Sequence, residues 1–291
     1  MLEPVQLTSD GVYRQHLAFS PDGKWLAFTR HRALKTPSGA FRNQLSVCVA
    51  EFHDGPHPKL GELRQLTPDQ PDYAPRLQPC WSPDGKKLAY VNIRLSGTDG
   101  QLDLHLMNTD GTGDAKLIGS PGFERYPAIA PDGKRLAYAA TVAGEQSKSS
   151  IFVADLDGKN VTRLTNQGSQ DECPTWSADS KRIAFNSNFE GNQEIYACDP
   201  DGKNVTRLTN HPALDVHPHW SPDGKRIAFV SYREGGKNIF VMEADGTNSR
   251  NVTGAPGAEA MDDDPAWHPD SARLAFVSNR SGKTEVWLVT L

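Results

Sequence analysis

The sequence lacks an excess of positive charge and lacks any long apolar run. Its 291 residues include 31 Lys and Arg against 36 Asp and Glu, which gives a formal net charge of −5. Nucleic-acid-binding proteins usually carry a basic patch or stripe, and this sequence carries none. No segment approaches the length of about 18 apolar residues that marks a membrane-spanning helix. These absences predict a soluble protein that binds no nucleic acid and does not insert into a membrane.

Cysteine is scarce, and the first residues do not resemble a signal peptide. The four cysteines, at positions 48, 80, 173 and 198, form no Cys-x-x-Cys pair and no metal-type spacing. We interpret them as ordinary partly buried thiols, the usual state of free cysteine. The segment Met1–Gln6 has neither a basic nor an apolar region. The sequence as it stands therefore predicts a cytoplasmic protein, or a periplasmic one if a signal peptide has been removed.

Turn residues are abundant, with 25 Gly and 21 Pro, and they recur at regular intervals. A phrase related to Ser-Pro-Asp-Gly-Lys occurs six times, and its aspartates are Asp22, Asp84, Asp132, Asp179, Asp223 and Asp270. Successive aspartates are 62, 48, 47, 44 and 47 residues apart. A period in the mid-forties indicates propeller blades, because four strands of about 5–6 residues and their turns need that length.

Each repeat has the pattern of a four-stranded blade. A large apolar residue such as Trp220 precedes the Pro-Asp-Gly turn, and an alternating strand such as Ile227-Ala228-Phe229 follows it. The last repeat ends after its third strand, and the N-terminal segment Pro4–Thr8 resembles the missing fourth. We therefore predict one domain over residues 1–291, an all-β six-bladed propeller of four-stranded antiparallel blades, closed by the N-terminal strand. We expect it to be a monomer.

These repeats resemble those of the TolB-type, WD40-like propeller family. The segment Pro218–Phe229, which reads Pro-His-Trp-Ser-Pro-Asp-Gly-Lys-Arg-Ile-Ala-Phe, matches the family repeat almost letter for letter. The resemblance implies several roles. Bacterial TolB is periplasmic and binds a lipoprotein at its propeller, similar propellers cover the active sites of tricorn-like and prolyl-oligopeptidase-like peptidases, and related ones are polysaccharide lyases. The sequence departs from TolB by lacking its N-terminal α/β domain, and from the peptidases by lacking a Gly-x-Ser-x-Gly motif.

Candidate binding residues lie where the first strand of each blade begins, at one mouth of the central channel. The repeats align on the Pro of the Pro-x-Trp motif, and in blade one we place His16 at the position of this Pro. The aligned charged residues and the histidine among them are Arg14, Arg76, Glu124, Arg125, Asp171, Glu172, Asp215, His217, Asp262, Asp263 and Asp264. Most acids come from blades four to six, and the arginines come from blades one to three. This asymmetry predicts a site for a protein segment or a small charged ligand, unless the residues are merely solvated loop ends.

Two alternatives concern the same mouth. His217 with Asp263 or Asp264 offers imidazole and carboxylate ligands to a divalent cation, although no spacing forces them to converge. A polysaccharide lyase would need a base and a group that neutralises the uronate, and His217 and Arg125 are suitable residue types. We favour a non-enzymatic scaffold that binds a protein or peptide, with no catalytic residue and no cofactor.

Blade one is longer than the others, because its repeat spans 62 residues. The extra length falls in Arg30–Arg42 and in Phe52–Lys59. Loops of this length are usually functional or disordered. We expect the first segment to form a basic loop over the mouth, with Phe41 as an anchor for a partner.

Overall fold

The computed structural model describes residues 2–35, 39–69, 75–96, 99–120, 122–141, 148–166, 168–254 and 260–291. All regular elements in these ranges are β-strands, and they include no helix that could cross a membrane. The strands form six four-stranded antiparallel sheets, and the inner strands of successive sheets contact one another in a closed ring. The predicted six-bladed propeller is confirmed.

The chain begins with β1 (Val5–Gln6), which belongs to blade six. Blade one consists of β2 (Arg14–Phe19), β3 (Trp25–Lys35), β4 (Phe41–His53) and β5 (Lys59–Gln65). Blade two consists of β6 (Arg76–Trp81), β7 (Lys87–Ser96), β8 (Asp99–Asn108) and β9 (Ala115–Ile118). Blade three consists of β10 (Glu124–Ile129), β11 (Arg135–Thr141), β12 (Ser149–Asp155) and β13 (Thr162–Arg163).

The second half of the ring repeats this order, with the inner strand first in each blade. Blade four consists of β14 (Asp171–Trp176), β15 (Ile183–Ser187), β16 (Glu194–Cys198) and β17 (Thr206–Arg207). Blade five consists of β18 (Asp215–Trp220), β19 (Arg226–Ser231), β20 (Asn238–Glu243) and β21 (Arg250–Asn251). Blade six consists of β22 (Asp262–Trp267), β23 (Arg273–Ser278), β24 (Glu285–Thr290) and β1.

Tryptophans at the ends of the inner strands join neighbouring blades. Trp81 donates its indole N–H to the Ala18 carbonyl of the preceding blade at 2.9 Å. Trp176 makes the same bond to Ala128, also at 2.9 Å. A buried indole needs both apolar packing and a partner for its N–H, and this position supplies both. Trp267 makes the corresponding bond to His219, whereas Trp220 donates to the Gly224 carbonyl of its own blade at 3.1 Å.

The extension of blade one is a hairpin rather than a loop. Arg30 of β3 lies opposite Arg14, the first residue of the inner strand. The pairing of β3 with β4 continues beyond Arg30 as far as Lys35 and Phe41. The side chain of Phe41 is 72% exposed, so the position expected for a partner anchor is accessible. The second segment ends β4 and begins β5. The expected basic loop thus continues the sheet over the mouth, and its residues 36–38 lie outside the described ranges.

Candidate functional site at the channel mouth

Each inner strand contains a β-bulge near its start. In blade five, Val216 pairs with Val230 and His219 pairs with Ala228, so one extra residue lies between the two pairs. The third residue of every inner strand has a positive φ, which is uncommon for residues other than glycine. These residues, here called the channel residues, have φ between 52° and 57° and are His16, Gln78, Tyr126, Cys173, His217 and Asp264. All six line one cavity of about 100 Å³ in the channel.

Hydrogen bonds between blades support the bulges. The Gln78 amide donates to Thr29 Oγ1 of blade one at 3.0 Å. The Tyr126 amide in turn donates to Gln78 Oε1 at 2.8 Å. A bulge leaves a backbone group without a ladder partner, and these side chains supply one. Neighbouring blades therefore fix the positions of the channel residues.

The first residue of five of the six inner strands lies inside its blade and does not line the cavity. Glu124, Asp171, Asp215 and Asp262 are at most 1% exposed, and Arg14 is 5% exposed. Side chains alternate along a strand, so three consecutive residues cannot all face the channel. The prediction that these five residues surround the mouth is wrong.

Three of the five buried charged residues form ion pairs, and the other two accept hydrogen bonds from serines. Asp215 pairs with Arg233 at 2.5 Å, and Asp262 pairs with Arg280 at 2.7 Å. Asp171 accepts a hydrogen bond from Ser187 Oγ at 2.5 Å. Arg14 pairs with Asp10, and Glu124 accepts from Ser120. Arg76, which is half-buried, interacts with Tyr90 and lies near Asp114. These residues stabilise the blades.

The structure also corrects the alignment of blade one with the other repeats, which was wrong by one residue. Ala18 pairs with Ala27 as Cys80 pairs with Ala89, so Leu17 rather than His16 corresponds to Pro79. His16 is therefore a channel residue. Gln78, Tyr126 and Cys173 also line the cavity; the alignment placed them at the mouth, but only charged residues and His217 were named as candidate binding residues. Aligning Phe19 with the Trp of the other repeats would have revealed His16.

The two halves of the predicted charged ring meet in a local ion pair. Arg125 and Glu172, each the second residue of its inner strand, lie on neighbouring blades. Their charged groups are 3.0 Å apart. The pair reduces the charge asymmetry of the mouth, because each group neutralises the other.

A charged cluster lies between blades five and six. His217 Nδ1 is 3.2 Å from Asp263 Oδ1, and Lys237 Nζ is 2.5 Å from Asp263 Oδ2. The Asp264 amide donates to Asp263 Oδ1 at 2.9 Å. Within the described part of the chain, the Asp264 carboxylate makes no hydrogen bond and no ion pair. Asp263 is thus surrounded by donors, whereas Asp264 is not.

Three residues of this cluster could act as metal ligands. The donor atoms of His217, Asp263 and Asp264 lie within 4.8 Å of one another. Imidazole and carboxylate suit several divalent ions. Lys237 already contacts Asp263, so a bound cation would compete with the ammonium group for that carboxylate.

The cluster changes the pKa of its members. Burial opposes the charged form of His217, but the hydrogen bond and the opposite charge of the Asp263 carboxylate favour it, and the pKa of His217 lies above its ordinary value. Burial opposes ionisation of Asp263, but His217 and Lys237 hold its pKa below the usual range. Burial lowers the pKa of His219 to about 4. These shifts favour the imidazolium form of His217 and the neutral form of His219.

We expect Asp263→Asn to lower the pKa of His217 in an NMR titration. The folded-state pKa of His217 is raised, so its contribution to stability is complete below the unfolded-state pKa of about 6.5 and is lost as the pH rises through the folded-state value. Thermal unfolding of wild type and Asp263→Asn over the same pH range should show that the difference between their melting temperatures becomes smaller at alkaline pH. An unchanged His217 titration in the variant would contradict the ion pair.

Large apolar side chains are exposed around the mouth. The described residues include nine exposed large apolar side chains, and six are at this end of the propeller. Four of the six directly precede an inner strand, and the other two lie where the second and third strands of a blade are joined. We call these six the apolar rim: Tyr13, Phe41, Phe123, Phe189, Leu214 and Met261. The remaining three lie on or next to outer strands.

The chain matches a family profile described as "TolB beta propeller domain" over residues 70–213, 181–259 and 208–291. The "Protein TolB homolog" of Chlorobium chlorochromatii is 29% identical over 114 residues, which cover 38% of this chain and 25% of that protein. Other matched relatives are named "Tol-Pal system protein TolB". The matched segments span only 10% to 39% of the first three curated relatives.

Solved structures share the fold. TolB from Acinetobacter baumannii superposes with a TM-score of 0.66 at 21% identity, covering 95% of this chain and 63% of that one. An oligogalacturonate lyase in complex with manganese superposes with a TM-score of 0.65 at 15% identity, covering 100% of this chain and 96% of that one. At these identities the likeness concerns the fold alone, and one fold can serve many functions.

Proposed function

Because this chain belongs to the TolB beta propeller domain family, we propose that it is a non-enzymatic scaffold that binds a segment of a protein partner at the channel mouth. The observation that carries the proposal is the apolar rim around the channel cavity. A group of exposed large apolar side chains at one place on a protein surface typically marks an interaction site. The cavity, of about 100 Å³, has room for about three waters or one side chain. Most of the partner would therefore lie on the rim.

The relatives support a protein partner. Several are named as components of the Tol-Pal system, and we extend to this chain the idea of assembly with another protein. The same relatives favour the periplasmic alternative and give the cytoplasmic expectation no support. The alternative within the same proposal is that the cavity binds a small charged ligand instead of a protein segment.

A lyase is the second candidate. The convergence of His217, Asp263 and Asp264 and the shared fold with an oligogalacturonate lyase favour it. However, Arg125, the residue expected to neutralise a uronate, already pairs with Glu172. That pair would have to break before a uronate could bind there, so binding remains the first candidate.

A capture experiment tests the mouth against the opposite face. The double variant Leu214→Ser/Met261→Ser removes two side chains of the apolar rim, and Asp84→Asn changes an exposed turn at the other end. Such exposed substitutions usually alter stability by less than about 0.5 kcal/mol. We expect wild type and Asp84→Asn to cross-link to the same protein in an extract of the source organism, and the double variant to lose it.

If Asp84→Asn loses the cross-linked protein and the double variant keeps it, the binding surface lies on the other face and the proposal is contradicted. The same wild-type preparation should be analysed for bound divalent metal and incubated with oligogalacturonate. Release of unsaturated uronates, lost in His217→Gln, would favour the lyase.

A further inference from the structure

Asp264 is the one acidic residue among the described residues that line the channel cavity. The two cations beside it, His217 and Lys237, are both directed at the neighbouring Asp263, at 3.2 Å and 2.5 Å. The carboxylate of Asp264 has no hydrogen bond or ion pair with the described part of the chain. It is available to a ligand that enters the cavity.

Apart from His217, which is bonded to Asp263 but has a ring nitrogen within 4.8 Å of an Asp264 oxygen, the channel residues offer Asp264 little compensating charge. Burial lowers the pKa of His16 and raises the pKa of the Cys173 thiol, so both are neutral at pH 7. Gln78 and Tyr126 are neutral as well, and prolines make up much of the remaining lining. A carboxylate in such surroundings is less well hydrated than one on an open surface, which strengthens its attraction for a cation.

We propose that the partner segment inserts a cationic group, a Lys or Arg side chain or an N-terminal ammonium, against Asp264, while its flanking apolar side chains cover the apolar rim. The inference rests on the proposed function, because it names the part of the partner that enters the mouth. A Lys side chain suits the cavity, since its stem is apolar and only its tip is charged. A free metal ion would leave the rim uncovered.

The site can be probed with capped heptapeptides of sequence Gly-Leu-Phe-X-Leu-Phe-Gly. X is Lys, norleucine or Glu, and norleucine keeps the carbon chain of Lys without its ammonium group. Binding to the full chain is measured by calorimetry for wild type, Asp264→Asn and Asp84→Asn. Asn is the conservative replacement at position 264, because it tolerates a positive φ better than most residues.

We expect wild type and Asp84→Asn to bind the Lys peptide about tenfold or more tightly than the norleucine peptide, as a charge-assisted hydrogen bond provides. The Glu peptide should bind most weakly of the three. Asp264→Asn should bind the Lys and norleucine peptides with nearly equal affinity. A melting curve of Asp264→Asn that matches that of wild type is the check that the fold is retained.

Equal affinities of wild type for the Lys and norleucine peptides would overturn the inference, as would a Lys preference that survives in Asp264→Asn. If the peptides bind equally but lose affinity in Leu214→Ser/Met261→Ser, binding at the mouth stands and the cationic insertion fails. If no peptide binds wild type, the insertion is again overturned, and the capture experiment decides the proposed function separately.

Discussion

Removal of residues 1–8 is expected to lower the melting temperature sharply and to cause aggregation on heating. β1 covers the edge of β24, with Val5 opposite Leu288 and Gln6 opposite Trp287. The following Leu7 is 4% exposed and lies in a core cluster with Leu288. Its amide also donates to the Val286 carbonyl at 2.8 Å. Without this segment the ring has an uncovered edge strand, which can pair with another chain.

Two point variants separate packing from edge protection. Leu7→Ala should lose about 2–5 kcal/mol of unfolding free energy, the usual cost of truncating a buried Leu. Val5→Ala, on the exposed side of the same strand, should lose less than about 1 kcal/mol. Urea unfolding measures both. A truncated chain that melts like the full chain would rule out closure by the N-terminal strand.

Replacement of Arg280 by Met is expected to cost about 3–5 kcal/mol of unfolding free energy, because it leaves a buried carboxylate without its counter-charge. Asp262 is fully buried, and its Oδ2 lies 2.7 Å from Arg280 Nη2. Oδ1 of the same carboxylate has no hydrogen-bond partner among the residues that the structure describes. Desolvation of an unpaired carboxylate is therefore the dominant effect of the substitution.

The double variant Arg280→Met/Asp262→Leu is the control. It removes both charges and should recover much of the loss, since apolar replacement of a buried ion pair is often close to neutral. Denaturant unfolding of the three proteins at one pH gives the coupling free energy. A loss below about 1 kcal/mol in Arg280→Met would mean that Asp262 is solvated, and it would return Asp262 to the candidate site.

Three consecutive acidic residues of blade six, which look equivalent in the sequence, have different surroundings in the structure. Asp262, Asp263 and Asp264 are consecutive acids, and we expected all three at the mouth. In the structure, Asp262 stabilises blade six and Asp263 pairs with His217 and Lys237. Of these three acids, Asp264 lines the cavity, and its carboxylate has no hydrogen bond or ion pair with the described residues. Its neutralisation should therefore affect binding more than stability.

The sequence by itself determined the number of blades, the order of their strands and the closure by the N-terminus. These features depend on local patterns: the Pro-Asp-Gly turn, the alternation of Leu-Ala-Phe, and a period set by the length of four strands. The propeller repeats them six times, so errors at any one repeat are corrected by the others. The one misplaced register, in blade one, fell where Leu17 and Phe19 replace the Pro and Trp of the motif.

Only the tertiary structure decided which residues face the channel. The bulge that turns a side chain toward the cavity is not marked by glycine, and its six positions hold five residue types, from His16 to Asp264. The partners that bury Asp215 and Asp262 are each 18 residues away in sequence, on the turn after the second strand of the blade. Such positions depend on how strands pair and blades pack, which a pattern of local turns and alternation does not specify.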